Sequence, residues 1–245
     1  MRDALRRGAM VVTANKAAVA RHYDALHAAA EAGAGALAYS AAVGGGTPIL
    51  ETIERLGDDV VALEGVMNGT CNFLLSKLGE GWAFDDAVET AQELGFAEAD
   101  PAADVDGHDA ADKLSLLVRR AFGVALPPAL VPKQSLRDVS PAAAHAALAN
   151  GMALKQVGRC RVAADGTLEA SVAIEALRAD HPLAGARNEE NRFLVTDRHG
   201  MVHGVFGKGA GRWPTATAVF ADVMDMQRRA AAREQAQADP VLLRA

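Results

Sequence analysis

Apolar residues in the first part of the chain recur with two different periods. An apolar run at residues 10–13 predicts a short strand, and residues 17–32 carry apolar positions at helical spacing up to Gly33. A second apolar run at residues 35–42 predicts another buried strand. Strand, helix and strand in this order are typical of a right-handed parallel crossover, which is the unit of a doubly wound sheet.

The rest of the chain is predicted to be mostly helical at first and rich in strands from Arg159 onward. Pro48 begins a predicted helix after a glycine turn, and Asp85 is predicted to cap a helix over residues 87–94. Turn signals at Gly166 and Gly200 separate the late strands. Further helices are predicted at residues 68–78, 114–122 and 214–226, followed by a frayed polar tail, and strands at residues 60–66, 158–162, 167–177, 192–196 and 201–207.

Composition and charge narrow the class of protein. The 245 residues carry a formal net charge of −6 and a pI near 5.6, which argue against a nucleic-acid or anionic-membrane partner. The start of the chain lacks the apolar core of a signal peptide, and no apolar run is long enough to span a bilayer. Cys71 and Cys160, the only cysteines, form no CxxC pair, so reduced thiols and a cytoplasmic location are expected.

The densest charge pattern lies in residues 91–113. Asp109 and Lys113 are four residues apart, so a helix places them on one face. Such a cluster predicts either a solvated loop or a site for a cationic group, and a lysine held among carboxylates can transfer a proton. Six carboxylates fall within fifteen residues, and they are Glu98, Asp100, Asp104, Asp106, Asp109 and Asp112.

A calcium-binding loop is the first alternative for this cluster. With Gly107 as the sixth residue of an EF-hand loop, Asp104 and Asp106 fit the third and fifth positions. However, Ala102 then occupies the first position, and the cation of Lys113 occupies the twelfth, where a bidentate glutamate is needed. The pattern therefore disfavours calcium, whereas a solvated acidic loop stays open as an alternative.

Four segments of the chain resemble homoserine dehydrogenases. In the acidic segment, Gly95 ends a helix, Glu98 stands before Asp-Pro, and D-x-x-G-x-D is followed by Lys113. The other three segments occur in the same order as in the family, and they are VVTANK at 11–16, AAVGGGTPIL at 41–50 together with NGT at 68–70, and GKGAGRWPTATAVFAD at 207–222.

The resemblance implies an α/β fold, α+β overall, with two modules. Residues 1–46 and 207–245 correspond to an incomplete Rossmann-like dinucleotide-binding domain. Residues 47–206 correspond to a mixed-sheet α+β domain for substrate binding, catalysis and dimerisation. The strand, G-x-G-x-x-G turn and helix with which the family begins are missing from this sequence. We therefore expect either a truncated paralogue or a coding start placed too late.

The resemblance also implies roles for individual residues. It assigns catalysis to Lys16, Asp109 and Lys113, with Lys16 between nicotinamide and substrate and Lys113 as the proton donor. Reduction of an aldehyde by hydride creates an alkoxide, which a lysine ammonium can stabilise and protonate. The implied substrate ligands, chiefly for the homoserine ammonium, are Glu98, Asp104, Asp109 and Thr70, and the implied cofactor contacts are Lys16, Gly95, Gly209 and Gly211.

The family also implies ligands beyond the substrate. In many members, backbone carbonyls equivalent to those of Val43, Gly45 and Thr47 hold a monovalent cation, but Ser40 stands here in place of the usual glutamate. The expected activity is NAD- or NADP-dependent interconversion of L-aspartate 4-semialdehyde and L-homoserine, on the route to threonine, methionine and isoleucine, in a homodimer. The alternative is an inactive fragment that serves as a homoserine-binding or oligomerisation module.

Overall fold

The computed structural model describes residues 1–238 as ten helices and seven strands. The helices are α1 (Arg2–Arg6), α2 (Lys16–Gly33), α3 (Ser40–Gly44), α4 (Ile49–Leu56), α5 (Gly69–Gly79), α6 (Phe84–Glu93), α7 (Ala102–Val105), α8 (His108–Phe122), α9 (Pro141–Ala149) and α10 (Arg212–Ala238). The strands are β1 (Met10–Val12), β2 (Ala36–Ala38), β3 (Val60–Val66), β4 (Met152–Val162), β5 (Leu168–Arg178), β6 (Glu190–Asp197) and β7 (Val202–Lys208).

The predicted parallel crossover at the start of the chain is confirmed. β1 and β2 pair in parallel with Met10 opposite Ala36, and α2 connects them. Asn15 caps α2, because its side chain accepts a hydrogen bond from the backbone N–H of Ala18 at 3.0 Å. This unit places Lys16 at the first turn of α2.

The second strand is shorter than predicted, because the chain turns into α3 two residues after β2. Ala41, Ala42 and Val43 are buried in α3, which packs on α4, α8 and α10. Periodicity cannot distinguish a strand from a helix in a short apolar run that is buried on all sides. The prediction of one strand over residues 35–42 is therefore wrong at its C-terminal end.

Helix α1 has no counterpart among the predicted elements. It packs on α2 through Leu5, which is fully buried and contacts Leu26. The approach is close at Gly33, where an added Cβ would lie 2.2 Å from the carbonyl oxygen of Leu5. With only five residues, α1 is too short for a clear helical period, and its packing partner stabilises it.

The larger sheet has the strand order β5-β4-β3-β6-β7, and each pair of neighbours is antiparallel. Within residues 1–238 the one parallel contact of this sheet is an isolated bridge between Lys133 and Val172, so the sheet is antiparallel where a mixed sheet was predicted. The predicted turns at Gly166 and Gly200 join two of the antiparallel pairs. The overall α/β class is confirmed, with one parallel and one antiparallel sheet.

Helices α4, α5 and α8 cover one face of the antiparallel sheet. Leu63 of β3 and Phe193 of β6 pack with Leu114 of α8 in the main core. A second core joins α5, α6 and α9. Helix α6 begins at Phe84 without a side-chain cap, so Asp85 lies inside its first turn and does not cap it. There its carboxylate still faces the positive end of the helix dipole.

Helix α10 brings the end of the chain back to its beginning. It contacts α3, β1 and β2, and it runs further in both directions than the predicted helix at 214–226. Residues 239–245, which the sequence assigned to the dinucleotide-binding domain, lie outside the described residues. Of the helices described here, none combines the length and the apolar character needed to cross a membrane.

Candidate active site

Helix α8 places Asp109 and Lys113 on one face, as predicted. It begins at His108, directly after Gly107, whose φ of +77° lies in the left-handed region that favours glycine. Nζ of Lys113 lies 2.9 Å from Oδ2 of Asp109 and donates to the carbonyl oxygen of Met67 at 2.6 Å. The Lys113 ammonium is therefore held between α8 and the end of β3.

Lys16 reaches the same carboxylate from the first turn of α2 in the parallel crossover unit. Its Nζ donates a hydrogen bond to Oδ1 of Asp109, so each oxygen of Asp109 carries one lysine. The Asp109 and Lys113 side chains are 11% and 12% exposed, whereas Lys16 is 24% exposed. A single carboxylate thus joins the crossover unit to the helix of the larger domain.

The charges around Asp109 determine its protonation state. Burial opposes its ionisation, but the adjacent ammonium groups of Lys113 and Lys16, which also donate hydrogen bonds, outweigh burial and hold the pKa of Asp109 well below its usual range. Asp109 is consequently a carboxylate at neutral pH.

Asp104 forms the second carboxylate of the site, next to the start of α5. Its Oδ1 accepts a hydrogen bond from Asn68 Nδ2 at 2.7 Å. Its Oδ2 lies 3.1 Å from Thr70 Oγ1, whose single hydrogen is shared with the closer carbonyl oxygen of Phe96 at 2.6 Å. Asn68 Nδ2 also donates to Oδ2 of Asp109 at 2.9 Å. Burial raises the pKa of Asp104, while the hydrogen bond from Asn68 opposes this rise.

The rest of the acidic cluster divides among different roles. Glu98 is exposed, and within residues 1–238 its carboxylate has no ion pair or hydrogen bond, so the structure does not bring it into the Asp104 and Asp109 network. Asp106 accepts from Ser135 at 2.7 Å, and Asp100 accepts from the backbone N–H of Ala102. The cluster is therefore part site and part solvated loop.

The structure brings two glycine-containing segments together, residues 44–47 and residues 207–211. The N–H of Gly46 donates to the carbonyl of Lys208 at 2.8 Å. A Cβ on Gly45 would lie 2.3 Å from the carbonyl oxygen of Gly209, and a Cβ on Gly209 would lie 2.1 Å from the side chain of Asn191. Close packing alone therefore requires both glycines, against backbone at Gly45 and against the buried side chain of Asn191 at Gly209.

The described residues suit the nicotinamide end of a dinucleotide better than its pyrophosphate. Lys16 points at the site carboxylate from the end of β1, and the space around Gly95 is open, since an added Cβ would meet nothing within 4 Å. The sequence contains no G-x-G-x-x-G turn, and the parallel sheet within residues 1–238 has two strands. These residues could contact a nicotinamide, whereas no phosphate-binding turn is available among them.

The segment predicted to hold a cation has one feature that favours a ligand. Oγ1 of Thr47 is buried without a hydrogen-bond partner. At the position where the family has a glutamate, the backbone N–H of Ser40 instead donates to Oδ2 of Asp222 at 3.0 Å. Over the described part of the chain, no group of three His, Cys, Asp or Glu residues is placed to bind a metal ion, and the candidate ligands at this segment are carbonyl and hydroxyl oxygens.

Sequence reasoning singled out Lys113, Lys16, Asp109, Asp104 and Thr70, and the structure brings these together. It did not single out Asn68, which contacts both site carboxylates, or the carbonyl of Met67, which holds Lys113. The available signals for Asn68 were its place in the NGT segment and its position two residues after a buried strand, at the N-cap of a helix.

The site combines two ammonium groups and two carboxylates at the junction of a parallel crossover unit and an α+β domain. Such an arrangement can bind a charged small molecule and transfer a proton to or from it. The fold is that of an α/β protein in which a two-stranded parallel unit lies beside a five-stranded antiparallel sheet. The family model for homoserine dehydrogenase matches residues 48–224, and the chain belongs to this family.

Individual relatives agree with the family match. The chain is 40% identical over 229 residues to the homoserine dehydrogenase of Lactococcus lactis subsp. lactis, covering 92% of this chain and 53% of that protein. It is 35% identical over 236 residues to a protein of Pseudomonas canavaninivorans named NAD(+)-dependent homoserine dehydrogenase, covering 96% of this chain and 67% of that protein.

The solved structures show the same relationship. The crystal structure of a homoserine dehydrogenase from Thiobacillus denitrificans superposes with a TM-score of 0.89 at 35% identity, covering 94% of this chain and 54% of that chain. The present chain therefore spans about half the length of this relative and of the Lactococcus lactis protein.

Proposed function

We propose that this chain carries the catalytic site of a homoserine dehydrogenase, which interconverts L-aspartate 4-semialdehyde and L-homoserine with NAD or NADP. The observation that carries the proposal is the network in which Asp109 holds Lys16 from one module and Lys113 from the other. A structural ion pair needs one lysine, whereas this carboxylate aligns two at the junction where substrate and nicotinamide would meet.

Lys113 is the proposed proton donor. When bound, the nicotinamide ring supplies or accepts the hydride. Conversion of the aldehyde to the alcohol leaves a developing alkoxide, and an ammonium positioned beside it stabilises the charge and delivers the proton. The carbonyl of Met67 and the carboxylate of Asp109 fix the position of the Lys113 ammonium without burying it completely.

The substrate ammonium is proposed to bind on the carboxylate side of the site. Asp104 and Asp109 are held close together by Asn68, and the Thr70 hydroxyl lies beside Asp104. Glu98 is exposed and carries no ion pair within residues 1–238, so its carboxylate is free to contact a charged ligand. The backbone at Gly95, Gly209 and Gly211 is the proposed cofactor surface, beside Lys16.

A monovalent cation is proposed at the carbonyls of Val43, Gly45 and Thr47. The unpartnered Oγ1 of Thr47 supports an electropositive ligand at this segment. Thermal unfolding in potassium, sodium and choline chloride at equal ionic strength tests it. A higher melting temperature in one of the alkali salts than in choline is expected, and equal melting temperatures in all three would contradict the site.

The proposed oligomeric state and the proposed division into two modules rest on the same family assignment. We infer a dinucleotide-binding unit from residues 1–46 and 207–245 and a substrate and dimerisation unit from residues 47–206, supported by the contacts of α10 with β1 and β2. A cytoplasmic homodimer that serves threonine, methionine and isoleucine synthesis completes the proposal. Light scattering coupled to size-exclusion chromatography reports the dimer directly.

The alternative function is a non-catalytic module that binds homoserine or supports oligomerisation. Asn68 holds Asp104 and Asp109 together, so the proposed homoserine site needs no dinucleotide to form, and this observation favours the module. The enzyme and a homoserine-binding module both predict homoserine binding, whereas only the enzyme predicts hydride transfer.

Two measurements on the same protein separate these functions. Calorimetric titration with L-homoserine tests the site, with L-2-aminobutyrate, which lacks the hydroxyl, as the control ligand. Homoserine-dependent reduction of NAD or NADP, followed by absorbance, tests the reaction. Binding with turnover supports the enzyme, and binding without turnover supports the module. Failure to bind homoserine would contradict both the enzyme and the homoserine-binding module. Equal binding of homoserine and 2-aminobutyrate would contradict recognition of the hydroxyl by Lys113.

A further inference from the structure

The side chain of Asn68 lies between the two carboxylates of the site. Its Nδ2 donates to Oδ1 of Asp104 at 2.7 Å and to Oδ2 of Asp109 at 2.9 Å. A primary amide has two hydrogens on this nitrogen, so both are used. Asn68 is 5% exposed, and water therefore competes little for these hydrogens.

The other end of the Asn68 amide fixes its orientation. Oδ1 accepts the backbone N–H of Cys71 at 2.8 Å, because Asn68 is the N-cap of α5. Exchanging the amide oxygen and nitrogen would place the oxygen against two carboxylates and the nitrogen against an N–H. Only one orientation satisfies all three contacts, so the helix start determines where the two amide hydrogens point.

We propose that Asn68 is a positioning residue for the reaction, which holds Asp104 and Asp109 side by side by donating one amide hydrogen to each carboxylate. The inference rests on the proposed function, because a fixed spacing of these carboxylates matters only where they bind a substrate together. Two ionised carboxylates at this separation repel each other, and a shared donor between them offsets part of that repulsion.

A role in capping alone makes a different prediction. Serine caps a helix about as well as asparagine does, but its hydroxyl provides neither amide donor. The substitution Asn68→Ser therefore keeps the cap acceptor and removes the two contacts that position the carboxylates. Asn72 offers a matched control, since it lies on the same helix, is buried, and donates to the backbone carbonyls of Asn188 and Glu190.

The experiment follows the Asp104 carboxyl carbon by NMR as the pH is varied, without any ligand. Burial raises the pKa of Asp104 and the Asn68 hydrogen bond opposes this rise, so its loss should move the titration midpoint to higher pH in Asn68→Ser. The midpoint should not move in Asn72→Ser. An unchanged midpoint in a folded Asn68→Ser protein would overturn the proposal.

A measurement on the unsubstituted protein covers the case in which Asn68→Ser does not fold. The Asn68 side-chain amide proton bonded to Asp104 should shift along the same titration curve as the Asp104 carboxyl, and an amide proton that ignores this titration overturns the proposal. Homoserine affinity should fall by about tenfold in Asn68→Ser, as for loss of a hydrogen bond to a charged group. If the unsubstituted protein binds no homoserine, the proposed function fails, and the titration still decides whether Asn68 positions the carboxylates.

Discussion

Replacing Asp109 with asparagine removes the common partner of Lys16 and Lys113. Both ammonium groups then lie in a partly buried site without their carboxylate, and the amide cannot carry the compensating charge. All three side chains are largely buried, with 11% exposure for Asp109, 12% for Lys113 and 24% for Lys16. We therefore expect Asp109→Asn to lower the free energy of unfolding substantially, apart from any effect on activity.

The magnitude follows from the burial of the pair. Breaking a buried ion pair by removing one partner costs about 3–5 kcal/mol, and exposed pairs contribute about 0–1 kcal/mol. Because Lys16 keeps part of its hydration, we expect a loss of about 2–3 kcal/mol. For a chain of this size, that corresponds to a decrease in melting temperature of roughly 4–12 °C.

Urea denaturation followed by circular dichroism measures this loss, and Glu169→Gln is the matched control. Glu169 pairs with Arg161 at 2.7 Å on the surface, where the two side chains are 54% and 70% exposed. Its substitution should cost less than about 1 kcal/mol. If Asp109→Asn costs no more than Glu169→Gln at neutral pH, the shared carboxylate does not stabilise the junction and the reasoning is refuted.

The pH dependence gives a second check with a defined sign. The ion pairs hold the pKa of Asp109 below its unfolded value of about 3.9, so its stabilisation is complete above that pH. It is lost progressively as the pH falls from that value through the lowered folded pKa. The difference between Asp109→Asn and the unsubstituted protein should therefore be constant from neutral pH to about pH 5 and shrink at more acidic pH.

Three further outcomes are expected. Lys113→Ala should lower kcat for homoserine oxidation by about 10²–10⁴-fold, as for loss of a general acid, whereas Lys77→Ala on α5 should change kcat only a few-fold. Equal effects of the two substitutions would show that Lys113 is not the proton donor. Glu98→Gln should raise KM for homoserine by about tenfold without raising KM for the cofactor, whereas Glu93→Gln at the end of α6 should change neither KM. An unaltered homoserine KM in Glu98→Gln would show that Glu98 belongs to a solvated loop and does not bind substrate. Fluorescence titration should show that Lys16→Ala weakens NADPH binding to the 245-residue chain by about tenfold, as for loss of a hydrogen bond to a charged group, whereas Lys77→Ala should not change it. Equal affinities of the two variants would contradict the proposed contact between Lys16 and the cofactor.

Local patterns were enough to predict the elements that carry most of the site. The helical spacing in residues 17–32 predicted α2, and the apolar run at 60–66 coincides with β3. The four-residue spacing of Asp109 and Lys113 predicted their contact, since residues at this spacing lie on one helix face. These features depend on residues that are close in sequence, so they can be predicted without the contacts of the rest of the fold.

The less accurate predictions concern segments whose conformation depends on distant partners. The run at residues 35–42 is apolar because α3 is surrounded by α4, α8 and α10, and burial on all sides removes the period that marks a helix. Helix α1 depends on Leu5 packing against α2, and the antiparallel pairing of β3 with β4 and β6 is chosen across long stretches of chain. Their partners are distant in sequence, so no local period reports them.

The sequence by itself determined the family, the secondary structure around the site and the residue types available for chemistry. Only the tertiary structure decided how those residues combine. Lys16 and Asp109 are 93 positions apart, and Asn68 contacts carboxylates that lie 36 and 41 positions further along. The same fold left Glu98 at the surface, although its motif position was as distinctive as that of Asp109. The physical reason is that ion pairs and hydrogen bonds depend on distance in space, which the packing of α2, α5 and α8 sets, whereas periodicity in a sequence reports only which face of each element is buried.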